Sequence, residues 1–382
     1  MRIAIFSEVY WPMVSGVGVT LRRLTQELAA RGHEVRVYTA SYPLPPGVDD
    51  CLEVHRSPSI PLFLYPDVQW AFPRQREITA DLAFFRPDVV HVATEFALGL
   101  AGVKAAEQLG VPIIASAHTD YQKYAQRYGV GFVLQMGWIY LRWFYNHAER
   151  VLVPSRVYEH YLNSRGVSHT GLWTRGVDPE EFNPGFRSEG FRARFGLKPG
   201  DLLVSYVGRL AREKDLDRLV EAWQRLRARR GNAKLVLVGR GPMEEDLRER
   251  AVPGIHLTGL LTGRELAEAY ASTDLFVFPS STETFGNSLL EAMASGACSL
   301  GVAAGGVQEF AEHGRNAWLV GPNDTEALQG ALEKLMADGS LRARLSRGGL
   351  QTAESRQWGR IYDQLLQDYA ATAASKGRVQ AA

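Results

Sequence analysis

Arg2-Ile3-Ala4-Ile5-Phe6, a loop carrying Ser15-Gly16-Val17-Gly18, an amphipathic segment over residues 19–31, and then Glu34-Val35-Arg36-Val37-Tyr38-Thr39 decide the fold. An apolar run, a helical pattern and a second apolar run make a βαβ unit with parallel strands. The same alternation continues outward. Strands are expected over 87–92, 112–117 and 151–154, with a helix over 97–109. Near-continuous apolar runs, rather than alternating ones, mark strands buried on both faces. Asn183-Pro184-Gly185 and Pro199-Gly200 are turn formers that interrupt the pattern. It then restarts with strands over 202–207, 234–238, 255–257 and 275–278, helices over 216–229, 243–250 and 263–271, and a further helix opening near Asn287. The expectation is an α/β protein of two doubly wound parallel-sheet domains. Such sheets bind ligands at the carboxyl ends of their strands, so two of them would share a site in a cleft.

The chain has 382 residues, long enough for two domains, with 46% hydrophobic and 22% charged residues. That balance excludes a disordered chain and a fibre. Lys and Arg number 43 against 42 Asp and Glu, a formal charge of +1, so nothing attracts nucleic acid globally. Two cysteines, Cys51 and Cys298, suit a reducing compartment. Glu8 interrupts the first apolar run, which fits a buried strand better than a secretory signal. A cytoplasmic protein is expected, including one peripheral to the inner face of the cell membrane. The stretch from Phe132 to Tyr145 mixes aromatic and basic residues, and suits either a headgroup interface or a buried packing helix. No Cys or His pair has metal-ligand spacing, and no Gly-x-Ser-x-Gly elbow occurs.

The strongest chemical signal runs Phe278-Pro279-Ser280-Ser281-Thr282-Glu283-Thr284-Phe285-Gly286-Asn287-Ser288-Leu289-Leu290-Glu291. A strand ends, a loop delivers Glu283, and a helix opens at Asn287 and Ser288, where unbonded N–H groups and the dipole suit a phosphate. Glu291, one turn further, can accept from vicinal hydroxyls. Val207-Gly208-Arg209-Leu210-Ala211-Arg212-Glu213-Lys214 is the second signal. Gly208 permits close approach, while Arg209 and Lys214 bring two cations to a diphosphate. Arg212, Glu213 and Asp215 fit a solvated helix start with surface ion pairs. Gly16 and Gly18 supply a weak Gly-x-Gly without the third glycine of a dinucleotide site. His118 follows a strand with Asp120 and Tyr121 close behind, and serves equally as a hydrogen-bond donor to a sugar or as a structural histidine. Gly239 and Gly259-Leu260-Leu261 end two further strands, as base-facing turns or plain loops.

In this order, these motifs resemble those of retaining glycosyltransferases of family 4, which have the two-domain GT-B fold. Gly32-His33-Glu34-Val35, His118-Thr119-Asp120, Pro154-Ser155, Arg175-Gly176-Val177-Asp178, Gly208-Arg209 with Glu213-Lys214, the segment from Glu283 to Glu291 and Gly305-Gly306-Val307-Gln308-Glu309 carry the resemblance. Within the family, bacterial glycolipid mannosyltransferases and their sulfoquinovosyltransferase relatives are the most similar. The resemblance implies a first domain over 1–178 with a returning helix over 356–372, and a nucleotide-sugar domain over 179–355. It implies that Arg209 and Lys214 hold the donor diphosphate, Glu291 the ribose, and Glu283 with the N–H groups from Phe285 to Asn287 the transferred sugar. Gly16, Gly208, Gly239, Leu261, Gly286 and Ser288 join the donor site, and His118 touches the sugar. Val17, Asp120, Tyr121 and Tyr124 lie on the acceptor side. The expected reaction moves a hexose, mannose from GDP-mannose, to a lipid-linked or glycolipid acceptor with retention, and without a metal cofactor. The alternatives are a UDP-sugar donor with diacylglycerol or a small acceptor, a nucleotide-sugar epimerase, and a sugar-nucleotide-binding protein without turnover. The chain departs from the family at Gly296-Ala297-Cys298 and Gln308-Glu309.

Overall fold

The computed structural model describes residues 1–13, 15–43, 52–62, 65–118, 131–226 and 231–379. Cys51, Asp120, Tyr121 and Tyr124 lie outside the described residues. The described chain forms two compact units. One holds the residues up to His118, Gly131–Trp173 and the residues from Tyr362 onward; the other holds Thr174–Ile361.

In the first unit the strands are β1 (Arg2–Ser7), β2 (Glu34–Ala40), β3 (Glu53–Ser57), β4 (Ser59–Leu62), β5 (Tyr65–Ala71), β6 (Val89–Val92), β7 (Ile113–Ser116), β8 (Arg150–Val153) and β9 (Thr170–Leu172). Seven of them form a parallel sheet in the order β3-β2-β1-β6-β7-β8-β9, and β4 pairs with β5 as an antiparallel hairpin. The register of β1 on β2 sets Ile3 beside Val35 and Ile5 beside Val37. Ile3, Ile5, Val90, Ile114 and Leu152 are all fully buried, which is why these runs carry no polar alternation. The first helix spans Gly16–Ala30 because the Ser15 hydroxyl caps it, accepting from the Gly18 N–H at 3.1 Å. Its buried stripe is Leu21, Leu24, Thr25 and Leu28, one face of a 3.6-residue period. The aromatic segment is a helix over Gly131–Tyr145 that packs part of its surface into the core. Leu141, Phe144 and Tyr145 are buried, whereas Ile139 is 65% and Trp143 43% exposed.

The second unit contains β10 (Leu203–Val207), β11 (Lys234–Val238), β12 (Ile255–Gly259), β13 (Leu275–Phe278), β14 (Cys298–Val302) and β15 (Trp318–Val320). They make one parallel sheet in the order β12-β11-β10-β13-β14-β15. Alternate residues serve opposite faces. Val204, Tyr206, Leu235, Leu237, Leu275 and Val277 enter one apolar core, and Leu203, Val207, Val236, Val238, Phe276 and Phe278 the other. The chain order reverses between β10 and β13 here, and between β1 and β6 in the first unit, so each sheet has a switch point. No helix among the described residues is long and apolar enough to cross a membrane.

Candidate active site

In the second unit, Gly208, Gly239 and Gly259 stand at the carboxyl ends of the neighbouring strands β10, β11 and β12. The Gly208 N–H donates to the Val238 carbonyl at 3.0 Å, and the Gly239 N–H to the Gly259 carbonyl at 2.9 Å. A Cβ on Gly239 would sit 2.0 Å from the Gly208 carbonyl oxygen, so only glycine permits this approach. Arg209 follows, its carbonyl accepting from the Tyr206 hydroxyl at 2.9 Å. Leu261 lies just past β12 and is partly exposed.

Across the switch point, β13 leads into the loop that bears Glu283. Lys214 Nζ donates to Glu283 Oε1 at 2.5 Å, with both side chains less than one fifth exposed. Two sequence-distant motifs therefore meet as one ion pair. A short turn over Arg212–Lys214 fixes the lysine. Its end is locked onto the Glu283 loop, where Asp215 Oδ2 accepts from the Ser281 N–H at 3.2 Å and from its hydroxyl at 2.8 Å. The Thr282 hydroxyl donates to the Glu213 carbonyl at 3.0 Å. This corrects the expectation of a solvated helix start: Glu213 and Asp215 are buried, at 0% and 2% exposure. A loop that must present a lysine at a fixed point is held from below by such groups.

Beyond Glu283, Phe285 is buried and stacked on Phe310. Gly286 takes φ +105°, a left-handed conformation that glycine adopts without a Cβ clash, and becomes the N-cap of the helix Asn287–Ala294. The Gly306 N–H donates to the Glu283 carbonyl at 3.0 Å and braces the loop. Asn287 Oδ1 is buried without a hydrogen-bond partner among the described residues. A buried acceptor in that state is costly, by roughly 1–3 kcal/mol, unless a ligand donates to it. Glu291 Oε2 accepts from the Tyr270 hydroxyl at 2.7 Å, and the same hydroxyl bonds Ser288. Tyr270 was not a candidate from the sequence. An aromatic residue inside an amphipathic helix reads as core, and only its fully buried hydroxyl distinguishes it. Burial first, and the Glu291 charge second, push its phenol well above the usual tyrosine range, so it stays a donor.

In the first unit, the loop after β1 faces the end of β6. The buried Glu8 carboxylate accepts from the Thr94 hydroxyl and from the Leu98 N–H, the latter at 2.5 Å. Gly16 opens the first helix with nothing within 4 Å of the place a Cβ would occupy. Val17 is partly exposed, and His118 lies just past β7.

Residues 14–181 match the family described as Glycosyltransferase Family 4, and residues 201–338 match Glycosyl transferases group 1. A GDP-mannose-dependent alpha-mannosyltransferase of Corynebacterium glutamicum is 32% identical over 99% of this chain and 91% of its own length. The chain belongs to glycosyltransferase family 4. A sulfoquinovosyl transferase of Arabidopsis thaliana is 32% identical over 94% of this chain and 71% of its length. Among solved structures, a sucrose-phosphate synthase of Thermosynechococcus elongatus superposes with a TM-score of 0.80 at 23% identity, covering 98% of this chain and all of that one. The fold is GT-B, and the protein is a glycosyltransferase enzyme. Among its described residues, no group of three His, Cys, Asp or Glu side chains could hold a metal ion. In this glycosyltransferase Cys298 is buried in β14, and burial pushes its thiol up to about 12, so it fills space rather than reacts.

Proposed function

We propose that this enzyme transfers mannose from GDP-mannose to a glycolipid acceptor with retention of configuration. The supporting observation is the cluster around the loop and helix that follow β13, which carry Glu283, Asn287, Ser288 and Glu291. Hydrogen bonds join them to Lys214, from the turn after β10, and to Tyr270, from the helix Gly263–Ala271. The donor assignment rests on the GDP-mannose-dependent relatives, matched over nearly the whole chain.

Glycosyl transfer builds positive charge on the sugar while negative charge grows on the departing diphosphate. Arg209, Lys214 and the N–H groups opening the helix Asn287–Ala294 are set before the reaction, and their attraction strengthens as that charge develops. Glu291, held by Tyr270, accepts from the ribose hydroxyls. Glu283 accepts from hydroxyls of the transferred sugar, and Asn287 Oδ1 supplies a further acceptor. His118 touches the sugar; Val17 and Gly16 belong to the acceptor and phosphate side, as do Asp120, Tyr121 and Tyr124. The acceptor hydroxyl attacks from the leaving-group face, and a diphosphate oxygen takes its proton. No protein nucleophile is needed, and the two cations carry the charge that a divalent metal would otherwise meet.

Acceptor delivery fits a protein that works at the cytoplasmic face of a membrane. Ile139 and Trp143 project from the helix Gly131–Tyr145, with Arg142 also exposed and Arg165 over the Trp138 ring at 5.5 Å. Aromatic and basic groups together suit a headgroup layer. Purified protein incubated with labelled GDP-mannose, UDP-glucose and UDP-sulfoquinovose, a panel of membrane glycolipids, and chelator or none tests this function. Mannolipid formed only from GDP-mannose, chelator present or absent, is the expected result. A UDP-sugar product would favour the second assignment, which the sulfoquinovosyl relative supports. Failure of every donor to turn over would sink both.

A further inference from the structure

His118 ends a line of hydrogen bonds that crosses the first unit. Its Nε2 lies 2.8 Å from the Ser116 hydroxyl, which lies 2.7 Å from His91 Nε2, and His91 Nδ1 lies 2.6 Å from the Tyr369 hydroxyl. His91 and Tyr369 are fully buried and Ser116 is 1% exposed. Trp173, also buried, packs its edge against both imidazoles, at 5.8 Å from His91 and 5.6 Å from His118.

We propose that Tyr369 is a positioning residue that fixes the tautomer of His118 through His91 and Ser116, so that Nδ1 of His118 bears the proton. The polarity follows from the far end of the line. A buried phenol must place its hydrogen on an acceptor, and His91 Nδ1 is the one the Tyr369 hydroxyl meets among the described residues. Burial holds this phenol above the usual tyrosine range, so it remains O–H. His91 Nδ1 therefore accepts, and its Nε2–H donates to Ser116. The serine has one hydrogen, already committed away from His91, and gives it to His118 Nε2. A neutral imidazole that accepts at Nε2 carries its proton at Nδ1. Running the line in reverse would leave the Tyr369 hydrogen buried without a partner.

For a residue that meets a sugar hydroxyl or developing negative charge, a fixed tautomer means that Nδ1 donates in every turnover. The role of His118 at the sugar rests on the function proposed above; the tautomer does not. The sequence hides this connection, because Tyr369 sits 278 residues from His91, on the helix Trp358–Val379.

Two-bond 15N–1H correlation spectra of 15N-histidine-labelled free enzyme test it, with the His118 signal assigned by its loss in His118→Gln. The expected wild-type pattern has Nδ1 protonated and Nε2 bare. Tyr369→Phe should give His118 a mixed population with an Nε2–H form, and Ser116→Ala should do so even if the tyrosine variant folds poorly. In turnover assays each should lower kcat by roughly tenfold while the donor KM changes by less than about twofold, the mark of a misplaced proton rather than a lost contact. An Nε2–H pattern in the wild type, or an unchanged pattern in both variants, overturns the proposal. The spectra need no substrate, so a normal tautomer response in a protein that turns over no donor would reject the function and leave the relay standing.

Discussion

At the residue scale, Lys214 and Glu283 answer each other's charge at 2.5 Å. Under the proposed function, a diphosphate would compete with Glu283 for the same ammonium and free the glutamate for a sugar. Lys214→Met keeps the stem and removes the charge. Turnover should fall on the order of 100-fold, as when a preorganised oxyanion donor is deleted, while far-ultraviolet circular dichroism stays that of the wild type. A variant with unaltered kcat would remove Lys214 from the leaving-group site. Tyr270 acts one step back. Its hydroxyl holds Glu291 at 2.7 Å, and a hydrogen bond to a charged group contributes roughly 1.5–3 kcal/mol. Tyr270→Phe frees the carboxylate to rotate, so the donor KM should rise about tenfold or more with little change in kcat. Saturation kinetics with varied donor separate the two, and an unchanged KM would show that Glu291 needs no such anchor.

At the scale of elements, the first sheet is tied at its switch point by Glu8, which joins the end of β1 to Thr94 past β6 and to the start of the helix Ala97–Leu109. Burial outweighs its hydrogen bonds and raises its carboxyl above 4.5. A raised acid keeps its proton longer in the folded chain than in the unfolded one. Its contribution to stability is thus greatest below 4.5 and is lost as pH rises through the raised value. Glu8→Gln keeps an acceptor without the charge. Its urea midpoint should match the wild type near pH 4 and exceed it near pH 7; a lower midpoint near pH 7 would contradict the direction. The elements themselves were legible where both faces of a strand are buried, as in β1, β10 and β13, because such runs are apolar throughout. Edge strand β3, Glu53-Val54-His55-Arg56-Ser57, escapes because it is partly exposed and carries charge. β14, Cys298-Ser299-Leu300-Gly301-Val302, escapes because small residues packed between neighbours look like a loop. Lys214 and Glu283 stand out in sequence because polar residues in the loop after an apolar strand lie at its open end, and Glu291 because it follows a helix start by one turn. The burial of Glu213 and Asp215 is invisible there, since a charge is ordinarily a surface group; the Asp215 carboxylate is met by Ser281, far along the chain, and by Arg218, while Thr282 bonds the Glu213 backbone.

At the scale of the whole molecule, two units with separate cores make a simple thermodynamic demand. The residues proposed to hold the nucleotide (Arg209, Lys214, Glu283, Ser288 and Glu291) all belong to the unit Thr174–Ile361. A ligand that binds only the folded state adds about 2.7 kcal/mol of stability at a concentration one hundred times its Kd. GDP at such excess should therefore raise the midpoint of the transition that unfolds this unit. It should also slow hydrogen exchange in the loops after β10, β11 and β13, before any comparable effect on the sheet β3-β2-β1-β6-β7-β8-β9. At equal concentration UDP and ADP should shift the midpoint less, because they share the diphosphate and ribose but not the guanine. Arg209→Ala should weaken all three alike, since it removes a contact to the part they have in common. Equal shifts from GDP, UDP and ADP would withdraw the donor base and leave the diphosphate site. A larger shift from UDP would move the donor to the uridine series. Protection confined to the first unit would place the nucleotide away from Lys214 and Glu283, and the proposed chemistry would go with it.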